Sequence, residues 1–124
     1  MVKFYRCNHC GNIVMMVHDS KVPMMCCGEK MTELVAGSTD AAVEKHVPVV
    51  DIKSNSVEVS VGSVMHPMEE EHYIMWIYLE TNRGGQIKYL NPGEDAMATF
   101  LLNDEKPKVV YAYCNLHGLW KKEI

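Results

Sequence analysis

The chain has 124 residues, 48% of them hydrophobic, which is enough for one ordinary domain or for one small domain beside a very small one. A formal charge of -4 without any basic block argues against a nucleic-acid partner and against a membrane surface. No apolar run approaches the roughly 20 residues of a membrane span, and Met1-Val2-Lys3-Phe4-Tyr5-Arg6 has no apolar signal core, so the expected compartment is the cytoplasm.

Residues 1–36 read as one unit. Lys3 to Arg6 is a short strand that leads into Cys7-Asn8-His9-Cys10-Gly11. Ile13 to Val17 is a second strand, and Cys26-Cys27-Gly28 lies in a turn. Some thirty residues bury too little apolar surface to fold alone, so a metal clip is physically required here. Cys7, Cys10, Cys26 and Cys27 supply it, because a C-x-x-C loop lets two sulfurs grip one ion while backbone N–H groups point at them. In a reducing compartment such cysteines are metal ligands rather than disulfides, and the odd total of 5 agrees with that. Spacing leaves zinc and iron both open. Adjacent Cys26 and Cys27 strain a shared tetrahedron unless the backbone bends between them. His9 and His18 are expected on the surface without a role, and the 10 methionines are expected mainly as core filling. The small, polar run from Ala36 to Ala42 suits a linker, which sets the expected domains at 1–36 and 37–124.

From Val43 onward the pattern is that of β-structure. Val57, Val59 and Val61 alternate with Glu58 and Ser60, the period of a half-buried strand. Tyr73 to Leu79 is apolar on both faces and reads as a central strand. Further strands are expected at Pro48 to Lys53, Gln86 to Leu90, Ala96 to Leu102 and Val109 to Tyr113. Turn signals at Ser54-Asn55, Asn82 to Gly85, Asn91-Pro92-Gly93 and Asn103-Asp104 separate them. About six or seven short strands at this spacing predict a mainly β chain whose larger part is a β-sandwich of roughly 85 residues.

Four histidines and one cysteine remain. His46 precedes a strand, His66 and His72 flank one loop, and Cys114 and His117 follow the last predicted strand. Strand ends and loops are where a rigid sandwich gathers ligands from distant parts of a chain. Taken singly, each histidine reads better as a hydrogen-bonded loop residue; together with an unpaired cysteine they form a second possible metal constellation.

At these residues the sequence resembles the superoxide reductases. Glu44-Lys45-His46-Val47-Pro48, His66-Pro67-Met68 with His72, and Cys114-Asn115-Leu116-His117-Gly118-Leu119-Trp120 are similar to the iron-site motifs of that family. Cys7-x-x-Cys10 with Cys26-Cys27 is similar to the desulforedoxin domain of the two-iron class, the desulfoferrodoxins. The resemblance runs over essentially the whole chain and implies a small desulforedoxin/rubredoxin-like domain followed by an immunoglobulin-like β-sandwich, with two non-haem irons. One is an FeCys4 centre on Cys7, Cys10, Cys26 and Cys27. The other has His46, His66, His72 and His117 as equatorial ligands and Cys114 as axial thiolate. Glu44 resembles the carboxylate that caps the oxidised resting centre, and Lys45 the loop cation beside its open face.

The implied activity is reduction of superoxide by one electron and two protons to hydrogen peroxide, with no dioxygen released, as a detoxification in an anaerobe or microaerophile. It implies an external, rubredoxin-like electron donor and a homodimer. Two rivals stand beside it. A blue-copper carrier also places a late cysteine and histidine on a β-sandwich, but Gly118 to Ile124 holds no methionine and two histidines are left over. The other is a zinc-clipped binding module without catalysis.

Overall fold

The computed structural model describes all 124 residues, Met1–Ile124. The chain forms two compact units, Met1–Val35 and Ala36–Ile124.

In the first unit β1 (Lys3–Arg6) lies between β2 (Ile13–Met16) and β5 (Thr32–Glu33), both antiparallel to it, while β3 (Met25–Cys26) and β4 (Glu29–Lys30) form a separate hairpin. Only Phe4, Cys7 and Met31 are buried. So small a core supplies only a few kcal/mol against the chain entropy of some thirty residues, which leaves the cysteine cluster to set the fold.

The second unit is a seven-stranded antiparallel sandwich. One sheet runs β10 (Met97–Leu101), β7 (Ser56–Val61), β6 (Pro48–Ile52). The other runs β12 (Gly118–Glu123), β11 (Pro107–Cys114), β8 (Ile74–Thr81), β9 (Gly84–Tyr89). Three strands on four is the immunoglobulin-like arrangement that the resemblance implies. The alternation in β7 is realised literally: Val57, Val59 and Val61 are buried and share one core with Phe100 of the same sheet and with Ile77, Leu79, Val110 and Ala112 of the other. Each such side chain contributes roughly 1.5–3 kcal/mol through burial.

A β-bulge shapes the end of the core nearest the histidines. Tyr113 pairs with Trp76, but the next residue, Cys114, pairs with Ile74, so Met75 is left without an opposite number. The extra residue reverses the alternation of β8, which brings both Ile74 and Ile77 into the core together with Cys114. Sequence reading ended β8 at Leu79 and gave β12 no strand. The segment Gly118–Glu123 has no clear alternation, yet it pairs along its full length with β11. A single turn of helix, α1 (Val43–His46), precedes β6. The segment read as a linker is tied to the sandwich at Gly37, whose N–H donates to the Leu119 carbonyl at 2.8 Å. No helix is long and apolar enough to cross a membrane.

Candidate metal centres

In the small unit, Cys7 and Cys10 are held by a tight loop. The Gly11 N–H donates to the Cys7 carbonyl at 2.9 Å, with Gly11 at a φ of +83° that only glycine adopts freely. This turns the Cys10 N–H towards the Cys7 sulfur at 3.4 Å. Cys26 ends β3, and Cys27 stands in the left-handed region at φ 53°. That bend, unusual for a residue with a Cβ, is how two neighbouring cysteines turn their sulfurs to one point. The Cys10–Cys26 and Cys26–Cys27 sulfur separations are 3.6 and 4.0 Å, and all four cysteines are free thiols. A disulfide needs about 2.05 Å, whereas the edge of a tetrahedron with metal–sulfur bonds of about 2.3 Å is about 3.8 Å. The donor set therefore fits one tetrahedral ion.

Electrostatics agree. The Cys10 N–H, with that of His9, pulls Cys7 down to about 6. Cys27 is pushed up to about 12, chiefly by the hydrogen bonds it shares with Cys10, Cys7 and Cys26. Four thiolates cannot share this space without a cation among them. His9 and His18 are exposed and take no part in the cluster.

The second cluster gathers His46, His66, His72, Cys114 and His117, whose donor atoms all lie within 4.8 Å of one another. The four rings form a closed cycle in which each stands edge-on to the next. His46 meets His66 at 4.6 Å and 75°, His66 meets His72 at 4.7 Å and 81°, His72 meets His117 at 5.1 Å and 84°, and His117 meets His46 at 4.9 Å and 82°. Four imidazoles arranged in this way direct four nitrogens at one central point.

Their protonation can be argued from partners. His46 Nδ1 donates to the Ala42 carbonyl and His66 Nδ1 to the Pro67 carbonyl, both at 2.7 Å. A carbonyl can only accept, so Nδ1 carries the hydrogen in both rings and each Nε2 presents a lone pair. Those two Nε2 atoms are 3.1 Å apart, and His117 Nδ1 lies 3.1 Å from His46 Nε2. Lone pairs facing one another at this distance repel unless a cation lies among them. A proton is a poor candidate, because burial holds His46 below the usual histidine range and His66 down to about 4. His72 Nε2 is buried with no hydrogen-bond partner at all, a costly state for a polar atom unless something binds it. These are the marks of a site for a divalent metal, with His46, His66 and His72 offering Nε2 and His117 offering Nδ1.

Cys114 completes the set from within the hydrophobic core, fully buried. Burial raises its pKa, against the pull of the His117 and Leu116 N–H groups that face the sulfur. Glu44 and Lys45 lie on α1 immediately before His46, with both side chains exposed. The Lys45 charge is felt at His46 and His72, where it lowers the pKa. The backbone beneath them is pinned: the Glu44 carbonyl accepts from Val64 N–H at 2.9 Å and Ser63 Oγ at 3.3 Å. Gly62 makes that approach possible, since a Cβ there would sit 2.6 Å from the Glu44 carbonyl oxygen.

A family model described as Desulfoferrodoxin matches residues 38–123, and one described as Desulfoferrodoxin, N-terminal domain, matches residues 1–34. The chain belongs to the desulfoferrodoxin family. A desulfoferrodoxin of Nitratidesulfovibrio vulgaris is 46% identical over 121 residues, covering 98% of this chain and 95% of that protein. A superoxide reductase of Pyrococcus horikoshii is 38% identical over 105 residues, 70% of this chain and 91% of that one. Among solved structures, the superoxide reductase from Treponema pallidum superposes with a TM-score of 0.83 at 36% identity, covering 99% of both chains. The chain thus carries, beside its desulfoferrodoxin domains, a four-cysteine group and a four-histidine, one-cysteine group, able to bind two metal ions.

Sequence reading gathered these nine residues but missed what holds them. Trp120 and Asn115 lie inside the quoted motif and make the contacts that orient it, while Ala42, Gly62 and Pro67 act through backbone atoms or close approach. A glycine or a carbonyl leaves little signal in one sequence.

Proposed function

We propose that this chain is a superoxide reductase, converting superoxide, one electron and two protons into hydrogen peroxide without releasing dioxygen. The observation that carries this reading is the closed cycle of four imidazoles with one buried cysteine beside it. His46, His66, His72, His117 and Cys114 would hold one iron, and Cys7, Cys10, Cys26 and Cys27 a second, with the domains divided as 1–36 and 37–124. Iron held by four imidazoles and a thiolate would supply a one-electron couple.

The residues of the chain do the rest. His46 and His66, kept neutral by burial and set in one tautomer by the Ala42 and Pro67 carbonyls, bring no competing positive charge of their own. Lys45, exposed and ahead of His46, attracts superoxide and orders a water that donates a proton. The Glu44 carboxylate, on the same turn, serves as a lid between turnovers. The Leu116 and His117 N–H groups favour Cys114 as thiolate although burial opposes it. A blue-copper reading needs two histidines, one cysteine and a weak axial ligand, and leaves the other two rings of the cycle without a task.

The electron comes from outside, and a small rubredoxin-like carrier suits a one-electron donor in the cytoplasm. Exposed Val17, Val22 and Met25 on the small unit support a homodimer that covers them. The test is stoichiometric. Pulsed superoxide should yield one peroxide per superoxide with no dioxygen, on protein containing two irons per chain by metal analysis and EPR. Dismutation would give half as much peroxide together with dioxygen, and that result would overturn the reading. Cys114→Ser should remove the sulfur-to-iron charge-transfer band.

A further inference from the structure

Asn115 stands between Cys114 and His117 in the turn after β11. Its side-chain Oδ1 accepts from the Tyr73 N–H at 3.0 Å, and its Nδ2 donates to the Glu71 carbonyl at 3.0 Å. Its own backbone N–H donates to the Tyr73 carbonyl at 3.2 Å. Asn115 therefore grips the backbone on both sides of His72, across more than forty positions of sequence. The His72 N–H and carbonyl close on Glu69, each at 3.0 Å.

The other rings of the cycle are fixed differently. His46 and His66 each donate a ring N–H to a carbonyl, and Trp120 Nε1 donates to the carbonyl of His117 at 3.0 Å. His72 has no such ring bond, and its buried Nε2 is without a partner. Its direction depends on where its backbone is held. An asparagine amide carries a donor and an acceptor in one plane, so it can imitate a rung of β-ladder. Aspartate keeps the acceptor but sets an oxygen against the Glu71 carbonyl, and alanine offers neither.

We propose that Asn115 is the positioning residue for His72, clamping the 71–73 segment so that its imidazole completes the metal centre. This rests on the assignment of His72 to the metal. Groups that orient metal ligands typically contribute 10- to 100-fold in metal affinity.

The test uses the full-length chain stripped of metal and titrated with cobalt(II) against a chelator, which reports the two centres by their separate absorption bands. Asn115→Ala and Asn115→Asp should bind cobalt about 10- to 100-fold more weakly at the histidine–cysteine centre, with the four-cysteine centre unchanged. In the metal-free chain, amide exchange at Tyr73 should speed up in Asn115→Ala, which loses the acceptor. Affinity within twofold of the parent at the histidine–cysteine centre in either variant, or unchanged Tyr73 exchange in Asn115→Ala, overturns the proposal. Should the alanine variant fail to fold, the aspartate variant, of nearly equal volume, decides it. A parent chain that takes no cobalt at these five residues sinks the ligand assignment and the clamp with it. Weaker cobalt binding in the variants of a parent that reduces no superoxide leaves the clamp standing and sinks only the activity.

Discussion

Trp120 lies against His46, with ring centroids 4.9 Å apart and planes at 29°. The same indole donates its N–H to the His117 carbonyl, so one buried side chain steadies two neighbouring members of the imidazole cycle. Trp120→Ala should lower stability by about 3–5 kcal/mol, as expected for a large buried aromatic. Trp120→Phe keeps a ring against His46 but loses the hydrogen bond, at about 1 kcal/mol. Denaturant unfolding of both variants, compared at equal metal content, checks the ranking.

Lys45 is the exposed cation nearest in sequence to the centre. Lys45→Ala should slow superoxide consumption by roughly 10-fold at low ionic strength and flatten its dependence on salt. Pulse radiolysis across a salt series measures both, and an unchanged rate with an unchanged slope would remove Lys45 from the mechanism.

Acid acts on the metal-free chain through its buried imidazoles. Burial holds His66 near 4, below the ordinary value of 6.5, so the unfolded chain takes up this proton first. The stability linked to His66 is complete above about 6.5 and is lost as pH falls towards 4. His46 and His72 shift in the same direction, also because of burial. Urea melts of metal-free protein at pH 7, 5.5 and 4 should give steadily lower midpoints, and a flat series would contradict the burial of these rings.

Cys10 belongs to the small unit alone. Cys10→Ser should strip the four-cysteine metal and loosen residues 1–35, while turnover with an artificial reductant persists. If turnover is lost, the small centre is an obligatory relay for electrons.

Gly62 has no room for a methyl group beneath Glu44. Gly62→Ala should destabilise the sandwich by about 1–3 kcal/mol and displace the turn that carries Glu44, Lys45 and His46. Thermal melts together with the superoxide rate test this. A variant with normal stability and a normal rate would show that the turn is not held there.

The sequence was most legible where one residue type carries the physics. Alternating valines marked β7, the apolar run marked β8, and nine cysteines and histidines marked both centres. What stayed hidden depends on pairing across long separations. The bulge opposite Tyr113 is set by register between β8 and β11, not by composition. The strand Gly118–Glu123 exists because β11 offers it an edge. The left-handed Cys27 answers a question the sequence could only pose, namely how adjacent cysteines reach one ion. Asn115 and Trp120 were in view as letters of a motif, but Asn115 bonds residues 42 and 44 positions away, and Trp120 packs on His46 from the far end of the sandwich sequence.

The bulge that draws Cys114 into the core also bears on durability. A catalyst that liberates peroxide does so within a few ångströms of its own sulfur, and a thiolate within reach of peroxide climbs through sulfenic to irreversible sulfinic acid. Cys114 has no exposed surface and is rooted among Ile74, Val61 and Ala112, in the part of a fold that opens least often. His46 and His66 are buried with it, and only His72 and His117 are partly open to solvent. Peroxide leaving the centre therefore meets imidazole before sulfur, and the atom most easily oxidised is the one kept farthest from the surface.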